Sequence, residues 1–266
     1  MRKLLTTVVA ALALALVTTA CDPPGRYFNE VFPSATVTRD LQYGAAPDEN
    51  GVTERLLLDL YQPTGDDQAR RPAIVWVHGG GFSAGNKSNM ADDATTFARR
   101  GYATVSINYR LRQGNIGQAI IDAQHDAQAA VRWLRRYADR YRIDRNRIAI
   151  GGSSAGAITA LYVANHPEDP GTSGNAGYRS DVQVGLSRSG FGGWYSAGDP
   201  PIALFHGTAD QTVPYETGVS TCDSHRRAGN TCQLTTYQGA GHGLYPEYRE
   251  DFRAKASAFL YEHLNL

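Results

Sequence analysis

The sequence predicts an α/β fold in which a mostly parallel β-sheet carries helices on both faces. Short apolar segments such as "AIVWV" at residues 73–77 and "RIAIG" at 147–151 alternate with longer segments of helical period. Apolar segments of this kind are typical of strands that are buried on both faces of a sheet. The chain has 266 residues, of which 42% are hydrophobic, and this is enough for one large domain with its own core.

The predicted elements follow one another in a regular order. Two early strands, at residues 35–43 and 54–61, are separated by the turn "APDENG" and are expected to form an antiparallel edge. The later strands are "AIVWV", "ATVSI", "RIAIG", "VQVGLS", "PIALFHG" and "QLTTY". The predicted helices cover residues 89–99, 117–141, 155–165, 215–227 and 248–263. Functional groups are expected in the loops at the carboxyl ends of the parallel strands.

The first twenty residues have the organisation of a signal peptide. Arg2 and Lys3 give a basic start, residues 4–17 form an apolar run, and residues 18–20 are the small residues of a cleavage site. The run is shorter than the roughly 20 residues that a membrane-spanning helix needs. We therefore expect residues 1–20 to be removed and the mature chain to be exported.

Cys21 follows this cleavage site directly, and "LVTTAC" is similar to the cleavage box of bacterial lipoproteins. The resemblance implies that Cys21 becomes the acylated first residue, so that the chain would contact a membrane only through a lipid anchor. Thr18 stands where this box usually has leucine, and the site would also suit ordinary secretory cleavage. We expect residues 21–34 to form a tether and residues 35–266 to form the folded domain.

Two further cysteines lie close together in the sequence. Cys222 and Cys232 bracket a short loop, which an oxidising compartment could close with a disulfide.

Seven arginines between residues 132 and 147 could bind nucleic acid. However, the net charge of the chain is +0, and two aspartates interrupt the cluster, so a solvated helix face that continues into a strand is favoured. We expect no nucleic-acid partner.

A glycine-rich loop, "HGGGFSAG" at residues 78–85, follows a predicted strand. Its glycines satisfy G-x-G-x-x-A, but a dinucleotide site also needs an acidic residue about 20 positions later, and "RRGYATVSINYR" has none. Residues 80–88 approach a phosphate-binding Walker loop, but Asn86 stands where that loop requires lysine. Both phosphate-binding interpretations therefore fail.

A second glycine cluster, at residues 151–156, explains the first one. "RIAIGGSSAG" leads from a strand into a helix and matches G-x-S-x-G with Ser154 at its centre. This turn is so sharp that larger flanking residues would clash, and it holds the serine hydroxyl out above the sheet. Ser153 is a poorer candidate, because in a G-x-S-x-G motif centred on Ser153 the last glycine position would be occupied by Ala155. Ser154 is therefore the predicted nucleophile.

A serine hydroxyl needs a base, and the base needs an acid that orients it. Asp210 lies in the loop after "PIALFHG", and His242 lies in "GAGHG" before the last helix, which gives the chain order serine, aspartate, histidine. Glu216 or Asp199 could replace Asp210, although both fit the strand-end position less well. Two further histidines, at positions 78 and 206, precede glycine-rich turns, and we expect them to fix loops.

These motifs carry a family resemblance over about residues 50–264. "HGGGF", "INYRL", "GGSSAG", "HGTAD" and "GAGHG" resemble the α/β-hydrolase carboxylesterases of the hormone-sensitive-lipase-like and feruloyl or acetyl-xylan esterase-like groups. The resemblance implies an α/β-hydrolase fold and the triad Ser154, Asp210 and His242. It also implies that the backbone N–H groups of Gly80, Gly81 and Ala155 form an oxyanion hole.

The chain departs from the lipase-like group because it has little sequence from which a cap could be built. Residues 164–181, "ANHPEDPGTSGNAGYRSD", form a polar, glycine-rich segment, so we expect no large cap domain and an open pocket. Aromatic residues in nearby loops could line an acyl or aromatic-group pocket or could equally belong to the core. These residues are Phe82, Phe191, Trp194, Tyr195 and Tyr245.

Three functional hypotheses follow. The leading one is an exported serine ester hydrolase that cleaves short-acyl or aromatic esters, including esters on polysaccharides, and that needs no cofactor and no metal. A serine peptidase or an arylformamidase on the same fold is the enzymatic alternative. A catalytically silent surface binding protein is disfavoured because every predicted element of the triad and the oxyanion hole is present.

Overall fold

One eight-stranded sheet organises the chain, with the strand order β1-β2-β4-β3-β5-β6-β7-β8. The computed structural model describes residues 25–244 and 246–266, so the predicted signal peptide, Cys21 and Tyr245 lie outside the described residues. The strands are β1 (Ala35–Pro47), β2 (Thr53–Pro63), β3 (Arg71–Val77), β4 (Ala103–Ile107), β5 (Ile143–Ser153), β6 (Val184–Arg188), β7 (Ile202–Gly207) and β8 (Cys232–Tyr237). None of the helices in this described part is long and apolar enough to cross a bilayer.

The pairing of the strands confirms the predicted fold class. β2 pairs antiparallel with β1 and with β4, and every other neighbouring pair is parallel. The helices are α1 (Ala91–Arg99), α2 (Ile116–Arg136), α3 (Ala138–Tyr141), α4 (Ala155–Asn165), α5 (Tyr215–Arg227) and α6 (Arg249–His263), and a 3-10 turn (Lys87–Met90) precedes α1. The predicted antiparallel edge is therefore β1 with β2, and no large cap interrupts the sheet.

The strands are buried on both faces because helices cover both sides of the sheet. In β3, Val75 packs into the core on the side of α2 and α4, whereas Ile74 and Trp76 pack into the core on the side of α1 and α6. Successive side chains of a strand point to opposite faces, so both cores take residues from the same strand. This explains why the strand segments read as continuous apolar runs.

Residues 25–34, the described part of the predicted tether, pack onto the domain. The side chains of Tyr27 and Phe32 are buried, and the ring of Tyr27 meets that of Tyr102 edge-on at 5.1 Å. The guanidinium of Arg26 donates hydrogen bonds to both carboxylate oxygens of Asp66, at 3.1 and 2.8 Å. Aromatic burial and a buried ion pair therefore hold a segment whose proline-bearing sequence suggested a tether.

The arginine cluster has a structural role that the sequence interpretation missed. α2 ends at Arg136 instead of continuing to residue 141, and the side chains of Arg132 and Arg135 are buried rather than solvated. Arg132 donates to the carbonyl of Gly174 at 2.9 Å, and Arg135 donates to the carbonyl of Arg179 at 2.8 Å. These arginines hold the polar segment after α4 against the domain.

The predicted disulfide is present and joins α5 to β8. Cys222 and Cys232 are bonded, their Cα atoms lie 5.4 Å apart, and both side chains are buried. The bond crosses from a helix on the surface of the sheet to the last strand. It therefore links α5 covalently to β8, the edge strand on this side of the sheet.

We predict that the double substitution Cys222→Ala and Cys232→Ala lowers the free energy of unfolding by about 2–4 kcal/mol, because the open chain gains conformational entropy when it unfolds. Urea unfolding of the oxidised enzyme and of the double variant, both under non-reducing conditions, measures this difference. Equal free energies of unfolding for the two proteins would contradict the prediction.

Candidate active site

Ser154 occupies a strained turn between β5 and α4. Its backbone has φ 54° and ψ −122°, which residues with a side chain rarely adopt. The turn is possible because the flanking residues are glycines: a Cβ on Gly152 would overlap the carbonyl of Gly156, and a Cβ on Gly156 would overlap the carbonyl of Val77. The G-x-S-x-G spacing is therefore a requirement of backbone packing.

The structure brings together the three side chains that the sequence predicted as a triad. His242 Nε2 lies 2.9 Å from Ser154 Oγ, and His242 Nδ1 lies 2.8 Å from Asp210 Oδ2. Ser154 follows β5, Asp210 follows β7, and His242 follows β8, so all three lie at the carboxyl ends of parallel strands. With Asp210 ionised, the imidazole carries its proton on Nδ1, and Nε2 can accept the proton of the serine hydroxyl.

Asp210 is held as a carboxylate by its surroundings. Burial acts to raise the pKa of Asp210, but hydrogen bonds from the backbone N–H of Val213, from His242 and from the N–H of Thr212 together hold it below its ordinary value. Both backbone hydrogen bonds end on Oδ1 and are 2.9 Å long. Oδ2 therefore stays directed at the imidazole over the neutral pH range.

The two alternative acids lie elsewhere. Glu216 is in the first turn of α5, where it lines a surface groove, and Asp199 accepts the backbone N–H of Ser196 in the loop before β7. Among the described residues, Asp210 is the carboxylate that contacts His242. The geometry therefore favours Asp210 as the orienting acid.

The remaining strand-end histidines stabilise loops. The ring of His206 contacts the carbonyl of Val213 at 2.9 Å and Asp210 Oδ2 at 3.2 Å. His78 bonds through Nδ1 to the carbonyl of Gly79 at 2.7 Å, and its ring stacks on Tyr109 with the centroids 4.3 Å apart. Burial lowers the pKa of His78, so this imidazole is neutral at pH 7.

The glycine loop after β3 lies beside the serine turn. A Cβ on Gly79 would stand 3.2 Å from the Cβ of Ser154, and the next two residues, Gly80 and Gly81, have φ values of 118° and 61°. Within the described part of the chain, the N–H groups of Gly80, Gly81 and Ala155 donate to no other residue. Ala155 is also the first residue of α4, where the helix dipole favours negative charge.

Two depressions border the loop after β6, which contains Phe191 and Trp194. One, of about 290 Å³, is lined by this loop together with Gln124, Ile158 and Tyr162. The other, of about 620 Å³, lies between the loop and α5, and Tyr195 belongs to its wall. The side chain of Trp194 is 87% exposed, so its indole is free to contact a ligand.

The predicted pocket residues have different positions. Phe191, Trp194 and Tyr195 line the depressions, whereas Phe82 is buried in the core near Tyr109 and lines neither of them. The structure therefore places Phe82 in core packing, where its ring is buried. Tyr245 lies outside the described residues.

The sequence interpretation missed the side chains that α4 adds to the first depression. Ile158 and Tyr162 lie four and eight residues after Ser154, on the same face of the helix. Because a helix rises 1.5 Å per residue, they extend roughly 6 and 12 Å away from the serine along α4. The helical spacing from Ser154 was the signal that could have identified them.

Comparisons with known proteins find similarity to esterases and related hydrolases. Residues 58–184 match the BD-FAE family, and residues 194–266 match the prolyl oligopeptidase family. Phenmedipham hydrolase of Pseudarthrobacter oxydans is 38% identical over 118 residues, which are 42% of this chain and 23% of the relative. Esterase LipI of Mycobacterium tuberculosis is 35% identical over 112 residues, which are 42% of this chain and 34% of the relative. The chain therefore spans about a quarter to a third of the length of these curated relatives.

Solved structures match over nearly the whole domain. Thermogutta terrifontis esterase 2 phosphorylated by paraoxon is 27% identical, with a TM-score of 0.73, and the match covers 87% of this chain and 95% of that one. The eight-stranded sheet described above agrees with this similarity of fold. The chain has the α/β-hydrolase fold, and the solved structures that it resembles over this length are esterases.

Proposed function

We propose that the protein is a serine carboxylesterase that hydrolyses esters through an acyl-enzyme. The observation that carries this proposal is the hydrogen-bonded series Ser154, His242 and Asp210 beside a glycine loop whose Gly80 and Gly81 N–H groups donate to no residue in the described part of the chain. A serine, a base and an orienting acid in this geometry are what acyl transfer requires.

In the proposed first half-reaction, the Oγ of Ser154 attacks the ester carbonyl carbon while its proton passes to Nε2 of His242. The carbonyl oxygen becomes negatively charged and accepts hydrogen bonds from the N–H groups of Gly80, Gly81 and Ala155. The bond to the alcohol oxygen then breaks, His242 returns the proton to the leaving alcohol, and the acyl group stays on Ser154.

In the second half-reaction, water replaces the alcohol. His242 takes a proton from this water as its oxygen attacks the acyl carbon, and it returns the proton to Ser154 when the carboxylic acid leaves. Asp210 keeps the imidazole in the required tautomer and stabilises the imidazolium that forms in each half-reaction. No cofactor or metal takes part in these steps.

The substrates we propose are esters with a short acyl or an aromatic group. The depression along α4 is small, at about 290 Å³, and is lined by Ile158, Tyr162, Phe191 and Trp194. Structures of Thermogutta terrifontis esterase 2 with propionate bound and with butyrate bound are similar to this chain, with TM-scores of 0.73. Both observations support a short or flat group in this depression.

A serine peptidase is the second candidate function. Residues 194–266, which include Asp210 and His242, match the prolyl oligopeptidase family. An arylformamidase would use the same nucleophile and base. These alternatives differ from the esterase in the bond that they cleave, an amide instead of an ester.

We further propose that the mature chain is exported and anchored through lipid on Cys21. Residues 26 and 27 bond to the carbonyls of Gly101 and Arg100, which lie before β4, whereas Ser154 lies after β5 at the opposite end of the parallel strands. An anchor four residues before Gly25 would therefore leave the site facing away from the membrane. Diffusing or polymer-bound esters could reach it there.

We predict that Ser154→Ala lowers kcat for p-nitrophenyl acetate by about 10⁶-fold, because the variant has no nucleophile. Ser153→Ala is the matched control and should keep most of the activity. Circular dichroism should show the same fold for both variants. Unchanged kinetics of Ser154→Ala would refute the mechanism.

We predict that a panel of p-nitrophenyl esters is hydrolysed with a higher kcat/KM than aminoacyl anilides and formyl anilides. Acetate to butyrate esters and aromatic acyl esters should be the best substrates, because the depression along α4 is small and partly aromatic. The assay compares kcat/KM across the panel. Faster turnover of the anilides would favour the peptidase or arylformamidase alternative.

We predict that Asp210→Asn lowers kcat by about 10⁴-fold, because the amide favours the wrong tautomer of His242. Glu216→Gln is the matched control, since this carboxylate is also near a depression but does not contact the imidazole. Steady-state kinetics on p-nitrophenyl acetate compare the two. A large loss in Glu216→Gln with none in Asp210→Asn would reverse the assignment.

We predict that Cys21→Ala moves ester hydrolysis from the membrane fraction to the soluble exported fraction, because two or more acyl chains are needed for stable attachment. The value of kcat/KM on soluble esters should not change. Fractionation of cells that express each form measures the distribution. A soluble unmodified enzyme that begins at an unacylated Cys21 would show that the chain is secreted without an anchor.

A further inference from the structure

The end of β6 contacts both the nucleophile and the base of the proposed triad. The carbonyl of Arg188 accepts the backbone N–H of Ser154 at 2.9 Å. The next residue, Ser189, donates its hydroxyl proton to the backbone carbonyl of His242, also at 2.9 Å. Two consecutive residues thus connect the loop of the nucleophile to the loop of the base.

Ser189 is itself held firmly. Its side chain is fully buried, and its backbone N–H donates to the carbonyl of Phe205 in β7 at 2.9 Å. Its φ of 55° lies in the left-handed region, which serine adopts only where the surrounding structure requires it. The hydroxyl therefore projects from a fixed point between two parallel strands.

The loop before His242 is held at Ala240, whose carbonyl accepts the N–H of Ala209 at 2.9 Å, but His242 itself lies between two glycines. Its neighbours in sequence are Gly241 and Gly243, and a Cβ on either of them would meet no atom within 4 Å. Over residues 25–244 and 246–266, the hydrogen bond from Ser189 is the one that the structure gives to the backbone of His242. Because glycine is conformationally permissive, the two flanking glycines would allow the backbone of His242 to shift if that bond were absent.

Small displacements of the imidazole have large consequences. Proton transfer requires Nε2 to be within hydrogen-bond distance of Oγ, and a misplacement of about 1 Å can cost 10²-fold in rate. Asp210 orients the ring through Nδ1, but it contacts the side chain and not the backbone of His242. The position of the backbone therefore needs a second constraint.

We propose that Ser189 is a positioning residue, whose hydroxyl fixes the backbone of His242 at the distance from Ser154 that proton transfer requires. The proposal rests on the proposed function of the triad. Ser189 does not contact the reacting atoms and acts only through His242. Loss of its hydroxyl should lower the rate of the chemical step and leave substrate binding unchanged.

The test uses two substitutions of Ser189 and one matched control. Ser189→Ala removes the hydroxyl, and Ser189→Gly removes it while relieving the left-handed backbone, so that at least one variant folds without added strain. Ser187→Ala removes a buried hydroxyl from the same strand that has no hydrogen-bond partner within the described residues. Circular dichroism and thermal unfolding compare the folds of all three.

Three quantities are measured for each protein: kcat and KM on p-nitrophenyl acetate, and the rate constant for inactivation by a small fluorophosphonate. We expect both Ser189 variants to lose roughly 10- to 100-fold in kcat and in the inactivation rate, with KM unchanged. Ser187→Ala should match the unmodified enzyme. Ser189→Cys, which keeps a weak donor, should recover part of the lost rate.

Wild-type rates in both Ser189→Ala and Ser189→Gly would overturn the proposal, as would an equal loss in Ser187→Ala. A rise in KM with unchanged kcat would also overturn it, because that pattern indicates altered binding. The fluorophosphonate rate depends on the pair Ser154 and His242 and not on ester preference. An enzyme that reacts with the probe but hydrolyses no ester would therefore refute the proposed substrate and leave the Ser189 comparison valid.

Discussion

The strained backbone at Ser154 is the constraint on which the rest of the site depends. A residue with φ 54° at the junction of β5 and α4 is tolerated only because Gly152 and Gly156 let the surrounding backbone approach closely. The strain directs the hydroxyl out of the sheet, towards the imidazole of His242. It also presents the N–H of Ala155 at the start of a helix, where negative charge is stabilised.

The parallel sheet converts this local geometry into a complete site. β5, β6, β7 and β8 are neighbours in the sheet, and each contributes one part at its carboxyl end. These parts are the serine, the residues that join its loop to the histidine loop, the proposed acid and the proposed base. The sheet fixes the loop origins relative to one another, and hydrogen bonds such as those of Asp210 fix the side chains. The disulfide between α5 and β8 reinforces the same edge.

Much of this could be predicted from the sequence, because strand-to-helix patterns and glycine spacing report local backbone geometry. The bounds of α4 and α5 and the disulfide agree with the sequence, and the three triad candidates meet in space. Long-range contacts left no local signal: Arg26 with Asp66, Arg132 with Gly174, and Ser189 with His242. Phe82 shows the same limit, since an aromatic residue in a glycine loop gives no indication of which way its ring turns. Tertiary partners decide such cases.

The most direct test of the central claim is the mass of the intact enzyme after reaction with a small fluorophosphonate. If Ser154 is the activated nucleophile, the enzyme should gain one adduct per chain, and peptide mapping should locate it on Ser154. The reaction should require folded protein, because the unfolded chain does not hold His242 beside the hydroxyl. An enzyme that gains no adduct, or that carries it on Ser153 or another residue, would contradict the account.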